Sequence, residues 1–181
     1  MGRSKTDLPF AGSTFLRLVT AAATPVFDRV IAVQRAGEHP IADIPTLFES
    51  EHAEIAPVFG VARALEDARG KCLVLAVDYP LLTAEVLRFL HDRFLSSNAT
   101  MLVPMWRERA QMLCAGYSSQ VLPIIRSRIQ GSRFDLRGLI DESGAEIVSE
   151  EELRARFDGE PLMNVNTPAE LEEAETLYAR S

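Results

Sequence analysis

Three short segments carry acidic, amide and basic side chains at positions suited to binding a phosphorylated ligand. In Leu73-Val-Leu-Ala-Val-Asp78-Tyr-Pro80 an apolar run ends on a carboxylate. Ligands of open α/β sheets bind beyond the carboxyl ends of the strands, where an acid can hold a divalent metal against a phosphate. Asp78 is therefore the candidate metal ligand. An Asp two residues ahead of a proline also opens turns, and spacing alone does not choose between the two. In Leu162-Met-Asn164-Val-Asn166-Thr167-Pro168 an extended course puts Asn164 and Asn166 on the same side, so two amides project together and can orient a metal-bound water or a phosphate. Thr167, and with it Asn166, also suits the capping of a turn and helix. The third segment is Gly2-Arg3-Ser4-Lys5-Thr6-Asp7-Leu8-Pro9-Phe10-Ala11-Gly12. A lysine in a loop before a helix, such as Lys5, can neutralise phosphate charge with help from backbone N–H groups. Basic, flexible first residues are also common with no ligand at all.

Short apolar runs alternate with helical patterns and must position these groups. Strands are predicted at Arg29–Gln34, Thr46–Phe48, Cys72–Val77, Ala99–Pro104, Leu113–Tyr117 and Glu146–Ser149. Helices are predicted at Thr14–Ala23, Val58–Ala68, Ala84–Ser96, Ser118–Gln130, Leu136–Asp141 and Pro168–Ala179, with Thr83 and Thr167 as caps and Pro168 at a first helical position. The triple acid Glu150-Glu151-Glu152 suits the start of a further helix. Strand and helix in alternation predict an α/β fold with a mainly parallel sheet and helices on both faces. The six apolar residues of Cys72–Val77 predict a strand in mid-sheet. Without repeats, low-complexity tracts or long linkers, residues 1–181 read as one domain.

With 47% hydrophobic and 25% charged residues in 181, the composition is that of a cored globular domain. Nineteen basic against twenty-six acidic side chains leave a net charge of -7, which argues against a nucleic-acid surface and leaves room for a small phosphorylated ligand. Cys72 and Cys114 sit in apolar runs as small buried hydrophobes. No stretch approaches the roughly 18 apolar residues of a membrane span, and the first residues lack a signal-peptide core; a cytoplasmic protein without membrane partners is expected. His39, His52 and His91 have no zinc-site spacing. Arg126, Arg128, Arg133 and Arg137 cluster around Gly131 on an amphipathic helix and its turn, where arginines are usually solvated. Arg133, in the loop, can fork onto a phosphate.

Taken together, the three segments resemble the molybdenum cofactor guanylyltransferases (molybdopterin-guanine dinucleotide biosynthesis protein A). Met1, Gly2, Lys5, Leu8 and Gly12 match the downstream half of the signature L-A-G-G-x-S-x-R-M-G-x-D-K-x-x-L-x-x-x-G. Ala76-Val-Asp78-Tyr-Pro80 resembles the family's metal-binding D-x-P segment, and Asn164-Val-Asn166-Thr167-Pro168-Ala-Glu-Leu is similar to its closing N-x-N-T-P-x-D-L. The resemblance implies a Rossmann-like nucleotidyltransferase fold that transfers GMP from Mg-GTP to the phosphate of molybdenum-bound molybdopterin and releases pyrophosphate. It implies Lys5 and Gly2 at the nucleotide phosphates, Asp78 on Mg²⁺, Asn164 and Asn166 beside the acceptor phosphate, Arg133 on the pterin phosphate, and Glu49 helping to read the nucleotide. Gly60 matches the last glycine of the family's G-P-L-A-G turn, here Ala56-Pro57-Val58-Phe59-Gly60.

The departures define further expectations. Met1 falls in the middle of the signature, so residues 1–181 hold no counterpart of the family's first strand and L-A-G-G loop, either because the true start lies upstream or because that half of the site has been lost. Ser4 replaces an Asp, Ala56 a Gly, and Gln111-Met112 stands where the family has His-Pro. A central slot open in the sheet, with lowered stability or self-association, is the expected consequence. Related readings keep the fold but use CTP or another phosphorylated acceptor, or retain only pterin binding and a scaffold or handover role in cofactor assembly.

Overall fold

The computed structural model describes residues 9–51 and 54–180, so Gly2, Lys5 and His52 lie outside the described residues. A small hairpin comes first, β1 (Pro9–Phe10) with β2 (Ser13–Thr14), turned through Ala11 and Gly12 in the left-handed region. Thr14 caps α1 (Phe15–Ala23) by accepting from the Arg17 N–H. Next come β3 (Ala32–Gln34), β4 (Thr46–Phe48) and α2 (Pro57–Ala68), which has its proline at the first position, where no N–H is missed. β5 (Lys71–Leu75) leads to α3 (Ala84–Ser96), capped by Thr83 as expected. β6 (Met101–Trp106), β7 (Arg109–Ala110) and β8 (Cys114–Ser118) follow closely, then a 3-10 turn at Ser119–Val121 and α4 (Leu122–Gln130). The chain closes with α5 (Leu139–Ser143), β9 (Glu146–Val148), α6 (Glu150–Arg154) and α7 (Pro168–Tyr178).

Helices cover both faces, and alternate residues of the strands serve the two sides. Leu102, Trp106 and Cys114 pack with Ala23 of α1 and with Leu87 and Phe94 of α3. Met101, Val103, Ala115 and Tyr117 point the other way, against Val58, Val61 and Leu65 of α2 and Ile125 of α4. A third cluster, Phe10, Phe15, Met163, Val165 and Ala174, fastens the hairpin and α1 to α7.

The sheet departs from the expected parallel order. β3 and β4 are parallel, as are β6 and β9, but β5–β8, β8–β6, β6–β7 and β1–β2 are antiparallel. The cause lies in the chain between β6 and β8: seven residues, Arg107 to Leu113, are too few for a crossover helix, which takes a dozen or more. β8 therefore turns back and inserts between β5 and β6. β5 is a second correction. Its apolar sequence predicts a strand in mid-sheet, yet β5 is the outermost strand of its sheet and half-buried along its whole length, while β8 is buried throughout. The space beside it is an open cleft.

The last helix starts at a full capping box. Thr167 Oγ1 accepts from the Glu170 N–H at 3.2 Å, and Glu170 Oε2 accepts from the Thr167 N–H at 2.8 Å and the Asn166 N–H at 2.7 Å. Thr167→Ala removes one arm and is expected to cost about 1 kcal/mol of unfolding free energy, measured by urea titration.

Candidate active site

Asp78 owes its position to the way β5 ends. The Ala76 N–H donates to the Leu113 carbonyl at 2.7 Å, which carries the extended course one step past Leu75. Tyr79 then turns inward, 3% exposed, and Pro80 is buried beside it. The Tyr79 hydroxyl donates to Gln111 Oε1 at 3.0 Å, and the Gln111 amide donates to the carbonyls of Trp106 and Arg109, both at 3.0 Å. This buried relay pins the loop from β6 to β8 under the strand tip and leaves Asp78 at its end. Asp78 stands just past the end of β5, ahead of a turn that the Leu82 N–H closes on the Tyr79 carbonyl at 3.2 Å.

The inner side of Asp78 is packed against buried side chains. Oδ1 of Asp78 is buried. Burial raises the Tyr79 hydroxyl well above its ordinary range, helped by the charges of Cys114 and Asp78, so it stays a donor. The Cys114 thiol is pushed up to about 12 by burial and by the Asp78 charge, and burial takes Cys72 to about 11. Both cysteines are free, and neither is an activated nucleophile at neutral pH. Cys114 is expected to resist iodoacetamide at pH 8 in the native protein and to react fully once guanidinium unfolds the chain, as read by mass spectrometry.

The Asn164–Asn166 segment meets this tip. The Val165 N–H donates to the Asp78 carbonyl at 2.8 Å, and the Val165 side chain is buried in the cluster around Phe10 and Phe15. Alternation then leaves Asn164 half-buried and Asn166 exposed on the outer side, as the extended reading predicts. No strand forms at 162–166; the bond to Asp78 stands in for a ladder. The two segments, far apart in sequence, become neighbours through one backbone hydrogen bond.

Glu49 lies just past β4, its N–H donating to the Gln34 carbonyl at 2.9 Å. Its carboxylate rests against the first turn of α2: a Cβ at Gly60 would come within 2.9 Å of Glu49 Oε1. A carboxylate at that place suits the positive end of the helix, and glycine is what lets it approach. Arg133 is drawn elsewhere. It donates to Glu142 Oε1 at 3.0 Å, in the corner between α4 and α5. Its neighbour Arg128, expected to be solvated, is instead 3% exposed and donates to Glu142 at 2.5 Å and Asp135 at 2.6 Å. The reason is Gly138, whose missing side chain makes room for the guanidinium. Gln111, visible in the sequence only as a departure from His-Pro, takes a structural role there that no local signal announces. Among the described residues, no group of three or more His, Cys, Asp or Glu could hold a metal by itself, and no helix is long and apolar enough to cross a membrane.

The family model of the MobA-like NTP transferase domain matches residues 1–147. The chain belongs to this family. Among relatives of this MobA-like chain, the probable molybdenum cofactor guanylyltransferase of Carboxydothermus hydrogenoformans is 23% identical over 99% of this chain and 90% of its own. The protein of the same name from Pelotomaculum thermopropionicum is 28% identical over 100% and 88%. Molybdopterin-guanine dinucleotide biosynthesis protein A from Archaeoglobus fulgidus superimposes with a TM-score of 0.80 at 21% identity, covering 99% of this chain and 93% of that one. The 2-C-methyl-D-erythritol 4-phosphate cytidylyltransferase of Thermus thermophilus shares the fold at a TM-score of 0.70 and 20% identity, over 98% and 94%. The nucleotidyltransferase-like α/β fold is thus common to proteins named for different nucleotides.

Proposed function

We propose that this MobA-like NTP transferase moves GMP from Mg-GTP to the phosphate of molybdenum-bound molybdopterin, releasing pyrophosphate. The observation that carries the reading is the Val165 to Asp78 hydrogen bond, which brings the acid at the strand tip and the two asparagines to one edge of the sheet. The relatives' names point to the same reaction.

The donor set fits Mg²⁺. The Asp78 carboxylate is a hard oxygen donor, and a site with a single acid suits an ion that takes its remaining ligands from water and substrate phosphates. Bound there, Mg²⁺ supplies charge neutralisation at the triphosphate and fixes its orientation. The chain's own work is positioning. Asp78 holds the negative end of the cation site, and Asn164 and Asn166 orient the acceptor phosphate for in-line attack on the α-phosphorus. Lys5 and Gly2 serve the nucleotide phosphates, Glu49 helps to read the nucleotide, and Arg133 serves the pterin phosphate. Catalysis of this kind draws on proximity and fixed charge, with no covalent intermediate.

The test is a screen of GTP, CTP and ATP with Mg²⁺ by thermal shift, followed by turnover with α-phosphorus-labelled nucleotide and molybdopterin. A nucleotide at 100 times its dissociation constant stabilises by about 2.7 kcal/mol. GTP-selective stabilisation with labelled dinucleotide formed supports the reading. CTP selectivity transfers the assignment to a cytidylyl reaction, and binding of the pterin alone reduces the chain to a scaffold.

A further inference from the structure

The hairpin of β6 and β7 turns on two residues, Arg107 and Glu108, both in the left-handed region at φ 48° and 59°. Hairpin turns of this kind favour Asn-Gly, because other side chains are strained there. Two long charged side chains in that place point to a use for them. Arg107 Nε donates to Glu160 Oε2 at 2.8 Å, and Arg107 Nη2 donates to Glu173 Oε1 at 2.6 Å. Glu160 also accepts from Trp106 Nε1 at 3.0 Å and from Arg154 Nη1 at 3.2 Å, with the Arg154 guanidinium 4.3 Å from the centre of the Trp106 ring. Burial by itself raises the Glu160 carboxyl, but the bonds from Arg107 and Trp106 outweigh it and hold the group below its ordinary range, so it is charged at neutral pH.

The two acids that Arg107 holds flank the asparagine segment. Glu160 precedes Asn164 by one turn, which the Met163 N–H closes on the Glu160 carbonyl at 3.0 Å. Glu173 stands on α7, the helix that Thr167 caps directly after Asn166. One guanidinium thus grips both flanks of the segment, while the Val165 N–H ties its middle to Asp78. The same hairpin reaches the Asp78 side as well, since the Gln111 amide donates to the Trp106 and Arg109 carbonyls and Gln111 Oε1 accepts from Tyr79. We propose that Arg107, anchored on Glu160, is a positioning residue that sets Asn164 and Asn166 against Asp78 and so aligns the acceptor phosphate, an inference that rests on the reaction proposed above. Stability alone does not account for the arrangement. The Arg107 side chain is 42% exposed, ion pairs so open add little to stability, and the strained turn offsets part of that gain.

Arg107→Gly removes the clamp and relaxes the turn at once, so positioning and stability are read separately. The Tm is expected to stay within about 2 °C of wild type. The main-chain carbonyls that hold Gln111 are kept, so the KM for GTP is expected to hold. Hydrogen exchange at the Val165 N–H, followed by NMR on the full chain without ligand, is expected to quicken about tenfold or more while the amides of β8 exchange as before. With GTP and molybdopterin, kcat/KM for the acceptor is expected to fall about tenfold or more, the scale of a small misplacement of a reacting group. Glu160→Gln is expected to lower it too, and the double variant no further than the weaker of the two single ones, since both break one contact. Unchanged Val165 exchange in Arg107→Gly, or unchanged acceptor kinetics beside an active wild type, overturns the role of Arg107 and leaves the reaction standing. A wild-type chain that forms no dinucleotide defeats the reaction itself, and the role of Arg107 with it.

Discussion

Asp78→Ala is expected to lower turnover by at least about 100-fold while leaving the fold intact, the scale found when one electrostatic stabiliser is removed from an active site. The two halves of this expectation have separate structural grounds. The bond that gathers the Asn164–Asn166 segment uses the Asp78 carbonyl, which alanine keeps. The loop beneath is held by Tyr79 and Gln111, which the substitution does not touch. Only the carboxylate is lost, and with it the negative charge of the cation site. Steady-state turnover beside a melting curve separates the effects: unchanged Tm with collapsed turnover supports the role, whereas turnover within a few-fold of wild type removes Asp78 from the mechanism.

Phe94→Ala is expected to give the largest loss of stability, about 3–5 kcal/mol, or a fall in Tm of roughly 6–20 °C in a domain of this size. The Phe94 ring is 1% exposed and lies flat on Gly116 of β8, so close that a Cβ there would sit 2.6 Å from ring carbon Cδ1. The Lys71 ammonium stands 4.5 Å from the ring centroid and donates to the Phe94 and Ser97 carbonyls at 2.6 Å, closing the end of α3. Gly116→Ala alone is expected to cost about 1–3 kcal/mol by overpacking. In the Phe94→Ala background the added methyl falls into the cavity, so its cost is expected to vanish. A double-mutant cycle by denaturant unfolding measures this, and strict additivity would contradict the contact.

What could be read in advance follows from how local each signal is. Caps and apolar runs are local, so Thr83, Thr167 and the strand at Thr46–Phe48 stand where their residues place them. Strand direction is not local. The connection from β6 to β8 was short enough to exclude a parallel crossover, but the alternation of runs and helices hid it. The apolar stretch Cys72–Val77 signals a strand but not its place in the sheet, which is set by β8 folding back beside it. The juxtaposition of Asp78 with the Asn164–Asn166 segment rests on one long-range bond, Val165 N–H to the Asp78 carbonyl, while the alternation within the segment is local. Arg128 was misread because its burial depends on Gly138 and on two acids brought in by α5. The Tyr79–Gln111 relay was unreadable for the same reason: it joins residues 32 positions apart.

On the proposed function, the strand tip and the asparagine segment form one hollow for a cation and phosphoryl groups. Its most direct test replaces Mg²⁺ by paramagnetic Mn²⁺ in the presence of GTP and follows the side-chain amide NMR signals of Asn164 and Asn166. Both signals are expected to broaden beyond detection in the wild-type chain and to remain sharp in Asp78→Asn. Sharp signals from both asparagines in the wild type, while Mn²⁺ broadens a different part of the molecule, would contradict the account.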